Sequence, residues 1–175
     1  IEACLVGSEM CIRDSNNVGP GDLFLFFGWF KNFSANGRDL HHLFGWLQIE
    51  KIIEGSKEIK RYLFENNIQH PHGYGDTSKF SNNTIYIAKK KLELNKRKIF
   101  DRGHGLFKFT HDDLILTEKN KTRSRWKLPS KYFQDSKDLF LNRMKWENEE
   151  KSTVFYRGFG QEFILDIEKN PNVKK

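Results

Sequence analysis

Apolar side chains concentrate first in Leu23, Phe24, Leu25, Phe26 and Phe27, an unbroken run. Such a run suits a buried helix or a buried strand. Its length, the flanking Gly21 and Gly28 and its aromatic content favour a strand over Asp22–Phe30, buried on both faces. Polar residues fill Lys31–Asp39, where Asn36-Gly37 accepts the positive φ of a tight hairpin turn. A second strand, His42–Glu54, then pairs antiparallel with the first. Each strand carries Phe-Gly-Trp, as Phe27-Gly28-Trp29 and Phe44-Gly45-Trp46.

Ser56 is the expected N-cap of a helix in which Ile59, Tyr62 and Leu63 recur at helical spacing, ending near Asn66-Asn67. His70–Asp76 reads as an irregular loop and Asn83–Ala88 as a third strand. Lys89–Lys98 reads as an exposed basic connection, and Gly103–Gly105 as a turn. Leu106–Phe109 and Leu114–Leu116 suggest a short hairpin around His111-Asp112-Asp113. Arg123–Leu128 is strand or extended, stopped by Pro129. Leu139, Phe140, Arg143 and Met144 predict a second helix over Asp135–Trp146, and Glu147–Ser152 a loop. Thr153–Tyr156 and Gln161–Ile167 flank Arg157-Gly158-Phe159-Gly160. The expected fold class is α+β: a mostly antiparallel curved sheet or partial β-barrel with about two packed helices.

The first fifteen residues, IEACLVGSEMCIRDS, lack any such pattern and resemble translated sequencing-adapter read-through. They are expected to stand outside the fold, leaving residues 16–175 as a single domain truncated at its N-terminus. Cys4 and Cys11 both lie in that leader, so the remainder offers no disulfide or thiolate chemistry, which fits a reducing cytoplasm. The leader also holds Glu2, Glu9, Asp14 and Arg13, so the remainder is more basic than the whole chain's +7. No apolar run is long enough to span a membrane. Sixteen Phe and four Trp on a basic chain suit nucleic acid, cations meeting phosphates and rings stacking on bases. A basic protein with an aromatic core has the same composition.

Trp29 and Trp46 each follow a glycine, which lets a flat ligand approach the strand. Together they could clamp an extruded base, or each could fill the core. His41 and His42 are neighbours on a strand, so they face opposite sides and only one can join a given site; His42 is taken as the candidate. His70 and His72 sit in a Gly- and Pro-rich loop and, with Glu162, are the catalytic candidates. No zinc-type His spacing exists, so no metal and no cofactor is expected. Arg123 and Arg125 precede Trp126 and alternate with Lys127. They offer phosphate contacts or a charged strand edge. Arg157 and Gln161 complete the binding candidates, Gln161 because its amide can bond a base edge bidentately. Gly19-x-Gly21 precedes a strand and is no phosphate loop.

Over GPGDLFLFFGWF, LHHLFGWLQIEKI, HPHGYG, NTIYIA, LILTEKNKTRSRWKLPS and RGFGQEFILDI the chain resembles the nucleotide modification associated domain family, type 3. The resemblance covers nearly all of residues 16–175. It implies association with systems that modify bases or nucleotides, and it implies no established reaction. It also leads one to expect a further N-terminal stretch ahead of residue 16. Phe159-Gly160 stands where a shorter Arg-Gly-Gln run is expected. A looser likeness to PUA-like domains rests on a strand opening Gly-Asp, an aromatic loop and a returning strand. Two functions follow. One is a binding component that grips nucleic acid or nucleotide, alongside modification-system proteins. The alternative is an enzyme acting directly on a base or nucleotide through His70, His72, Gln161 or Glu162.

Overall fold

The computed structural model describes residues 4–7, 18–31, 37–74, 83–128, 145–148 and 153–155. The chain divides into two compact units, Ile1–Phe24 with Trp46–Gly105 and Leu25–Gly45 with Leu106–Lys175. Strands β2 (Leu23–Phe30) and β3 (Leu40–Glu54) contribute residues to both. The main sheet runs β1-β4-β3-β2, where β1 is Cys4–Gly7 and β4 is Thr84–Ala88. Strand β7 (His104–Leu106) also pairs with β3.

In the first unit β4 lies between β1 and β3, antiparallel to both. Cys4–Gly7, within the leader, gives β4 its second neighbour. Every residue of β4 is buried, in keeping with its TIYIA pattern and its place between two strands. Helix α1 (Ser56–Glu65) lays Ile59 and Leu63, one turn apart, onto Ile53, Ile85 and Ile87. Tyr62 and Ile68 complete this core. The N-cap is Gly55 at φ +82°, rather than Ser56, whose hydroxyl instead accepts a 3.2 Å hydrogen bond from Asn83. The helix ends where Asn67 adopts φ +53° and the Ile68 and Asn67 N–H groups bond the Leu63 and Phe64 carbonyls at 2.9 and 3.1 Å. Those two bonds make a Schellman motif, with Ile68 covering the last turn.

Lys89–Lys98 is not a plain connection. It contains most of a two-stranded antiparallel ribbon, β5 (Leu92–Leu94) and β6 (Arg97–Phe100). Asn95 and Lys96, at φ +51° and +61°, form the tip. Two successive left-handed residues are what a type I′ hairpin turn needs.

In the second unit β8 (Arg125–Lys127), β10 (Thr153–Phe155) and β9 (Lys145–Asn148) form a three-stranded antiparallel sheet, β8-β10-β9, with Val154 fully buried. The chain from Leu116 to Lys127 folds back on itself. The Lys127 and Glu118 N–H groups bond the Leu116 and Arg125 carbonyls, around a turn with Asn120 at φ +64°.

Four further expectations change. Among the described residues strand β2 is an edge of its sheet, and Leu25, Trp29 and Phe30 are exposed rather than buried on both faces. The unbroken apolar run reported side-chain type, not how many neighbours the strand acquires. Among the described residues a second helix is not found. Lys145 and Trp146 begin β9, positions 129–144 lie outside the described residues, and the described residues contain one α-helix. The hairpin around His111 does not form, because β7 pairs with β3 and Ile115 bridges His42. Among the described residues no sheet closes into a barrel. The Asn36 turn and the segments after Phe155 lie outside the described residues, as do Gly75 and Asp76 of the loop expected after His70.

Candidate nucleic-acid interface

Alternation along β2 and β3 sorts the second unit's aromatics onto two faces. One face carries Phe27, Trp29 and His41. The other carries Phe26, Phe30, His42 and Phe44.

The first face is an interlocked set. The Phe27 ring meets Trp126 edge-on at 5.0 Å and His41 at 5.8 Å. Trp126, 3% exposed, donates its indole N–H to His41 Nδ1 at 2.9 Å. An indole nitrogen can only donate, so His41 Nδ1 is the bare, accepting nitrogen of a neutral ring. Burial, and then the nearby Arg123 charge, hold the His41 pKa below its ordinary value, which favours the neutral ring. The Thr117 hydroxyl accepts from the His41 backbone N–H at 2.8 Å and donates to the Arg123 carbonyl at 3.1 Å. Strand β3 is thereby tied to the turn that carries Arg123, and the Arg38 side chain bonds the Asn120 carbonyl of the same turn.

Arg123 lies over Trp29, with its guanidinium carbon 4.1 Å from the ring centroid. Trp29 still exposes 52% of its surface. A cation stacked on an indole at an exposed site is worth about 0.5–1 kcal/mol. The pair therefore presents a half-exposed planar ring with a positive charge stacked on it.

Arg125 differs. Its Nε lies 3.2 Å from Glu147 Oε2, an ion pair without hydrogen-bond alignment. Arg123 falls in a turn and only Arg125–Lys127 is strand, so the cations do not line one extended face.

On the second face His42 Nδ1 donates to the Leu43 carbonyl, which fixes Nε2 as the acceptor of the Thr110 hydroxyl at 2.8 Å. Phe30 packs edge-on against His42 at 5.5 Å. The Phe44 ring packs over Gly28, where a Cβ would lie 3.4 Å away, an ordinary van der Waals contact that does not itself demand glycine.

In the first unit Trp46 lies on Gly105, where a Cβ would approach the indole to 2.7 Å, and beside Phe100 at 5.2 Å. This is the close approach a glycine permits, made by Gly105 rather than by Gly45, which precedes the tryptophan. His70 Nδ1 accepts the His72 backbone N–H at 3.3 Å and so caps a short 3₁₀ turn, Pro71–Gly73. His72 Nδ1 bonds the Asn83 carboxamide oxygen, and the two imidazoles are 5.7 Å apart. Burial, and then His72, hold the His70 pKa below its ordinary value. Both rings thus use one nitrogen to hold the loop. Among the described residues no three His, Cys, Asp or Glu side chains gather as a metal site. A groove of about 280 Å³ beside α1 is lined by Lys51, Glu54, Glu58, Arg61, Tyr62 and Glu65, a mixture of charges ill suited to a polyanion. Arg157, Gln161 and Glu162 lie outside the described residues.

Sequence reading missed Phe27, Thr117 and Arg38 as parts of this arrangement. Each acts through a partner distant in sequence, and no local motif signals it.

The fold and the interface define a mainly antiparallel α+β domain that exposes an aromatic edge beside a fixed arginine. The chain belongs to the nucleotide modification associated domain 3 family, whose model matches residues 9–166. It is thus a domain associated with nucleotide modification systems. No curated protein and no solved structure matches it. No helix among the described residues is long and apolar enough to cross a membrane.

Proposed function

We propose that this domain is the binding component of a nucleic-acid or nucleotide modification system. Its ligand stacks a base on Trp29 and sets a phosphate against Arg123. The observation that carries this reading is the Arg123 guanidinium 4.1 Å over a half-exposed Trp29. A sequence-tolerant single-strand binder needs the same two elements, a π-face and an adjacent cation. His42 lies on the opposite face with its ring nitrogens engaged by the Leu43 carbonyl and the Thr110 hydroxyl, and it is given no contact in this reading. Trp126 acts as a positioning residue through His41 and Phe27. Arg125, shared with Glu147, contributes less than Arg123. Trp46 supplies an aromatic surface in the other unit, and Arg157 and Gln161 remain candidates for backbone and base-edge contact.

The test is fluorescence anisotropy of labelled single- and double-stranded DNA at low and moderate salt, with the native protein and with Trp29→Ala and Arg123→Ala. Loss of one stacked base costs about 1–3 kcal/mol, so Trp29→Ala should weaken binding roughly 5- to 150-fold. Arg123→Ala should reduce the salt slope by about 1. Unchanged affinity in both folded variants, or no binding by the native protein, would sink the reading.

A further inference from the structure

The β5–β6 ribbon is a second cationic feature, built wholly within the first unit and independent of Trp29 and Arg123. Leu92 at its root is 4% exposed, whereas every residue from Glu93 to Phe100 is exposed, so the ribbon projects. From root to tip it spans about 13 Å at strand rise. A two-stranded ribbon this short is not stable alone in water. Here the root is fastened. Gln48, 2% exposed, uses both ends of its amide on Glu93, donating to the carbonyl at 2.7 Å and accepting the N–H at 2.9 Å. It also donates to the Gly21 carbonyl at 2.9 Å. Gly103 closes the other side, where a Cβ would stand 2.2 Å from the Lys89 carbonyl oxygen.

The charge left unpaired on this arm is of one kind. Its two acids, Glu93 and Asp101, are each held by a lysine, Lys89 and Lys98. Lys90, Lys96, Arg97 and Arg102 have no acid within ion-pair distance among the described residues, and the tip carries two of them. Leu94 and Ile99 stay 38% and 46% exposed between those cations.

We infer that this ribbon is an arm that enters the major groove of double-stranded DNA. Three features favour that occupant. A two-stranded ribbon fits the B-form major groove, which is about 12 Å wide. Cations at tip and root would meet the phosphates that wall it. Exposed aliphatic side chains suit thymine methyl groups. The deep, narrow major groove of A-form RNA would exclude it, and its tip has no ring on which a single strand could stack. The inference goes beyond the Trp29–Arg123 reading and does not depend on it.

The experiment measures duplex DNA, duplex RNA and mononucleotide binding over a salt series, with the native protein and with Lys96→Gln/Arg97→Gln. Both positions are exposed, so the fold should persist, which circular dichroism verifies. Should that variant fail to fold, Lys90→Gln/Arg102→Gln reads the same property. The expected result is a duplex-DNA salt slope reduced by about 2 and an affinity lowered roughly ten-fold or more, with mononucleotide binding unchanged. An unchanged duplex slope and affinity would overturn the inference. So would an equal loss on duplex RNA, which would mark a general phosphate patch. Failure of the Trp29 and Arg123 variants to alter binding would count against that reading alone.

Discussion

At the scale of single residues, function turns on which side chains keep a fixed partner. Trp126 and Trp29 are the same amino acid, yet one is sealed against Phe27 and His41 and the other is half exposed under Arg123. The buried indole has one polar atom, and that atom is satisfied by His41. Replacing Trp126 by phenylalanine would remove the donor and leave His41 Nδ1 buried without it. The expected cost is about 1–3 kcal/mol, read as a lower midpoint of urea unfolding with an unchanged slope. An unaltered midpoint would show that the indole hydrogen bond carries no stability. Trp29, Trp46, Arg123 and the histidines stand out in the sequence by type alone. The stacking of Arg123 on Trp29 does not, because nothing local links positions so far apart in the chain.

At the scale of elements, α1 and β4 form where their patterns place them. Ile59, Tyr62 and Leu63 recur at helical spacing, and TIYIA is a fully buried strand. Ile59 is fully buried among Ile53, Leu63, Ile85 and Ile87. Ile59→Ala should therefore cost about 2–5 kcal/mol, the span set by how far the cavity collapses. Thermal unfolding would check it, and a loss below about 1 kcal/mol would mean the helix is not held by this face. The β5–β6 ribbon was hidden by its composition. Lysines mask strand periodicity, and Asn95-Lys96 is less conspicuous than Asn-Gly although both residues adopt the left-handed region. The stretch ending in β9 was hidden for the opposite reason, since helical spacing in Leu139–Met144 says nothing about Lys145–Asn148.

At the scale of the whole molecule, three histidines tie stability to pH. Burial is the leading cause that holds the pKa values of His41, His70 and His104 below their ordinary 6.5, aided by Arg123, His72 and Arg102 respectively. His104 Nδ1 is buried with no hydrogen-bond partner among the described residues. Above about pH 6.5 these rings are neutral in both the folded and unfolded chain, and their full contribution is present. Below it the unfolded chain binds protons first, so stability falls as pH drops toward the folded pKa values. A lower Tm at about pH 5.5 than at about pH 7.5 is expected, and His41→Asn should reduce the difference. Equal Tm values at the two pH values would contradict the neutral state of buried His41 and half-buried His70 and His104.

By itself the sequence determined the main strand pair, the helix, the family and the supply of aromatic and cationic side chains. The strand pair, the helix and the side-chain supply follow from local periodicity and residue type, and the family from its extended motifs. Only the tertiary structure decided that β2 is an edge among the described residues, that Trp126 is sealed while Trp29 is open, that Arg125 is shared with Glu147, and that a lysine-rich stretch stands up as an anchored ribbon. Each of those depends on which backbones become neighbours. Exposure, charge pairing and the support of a short hairpin belong to such neighbours, and a linear pattern does not record them.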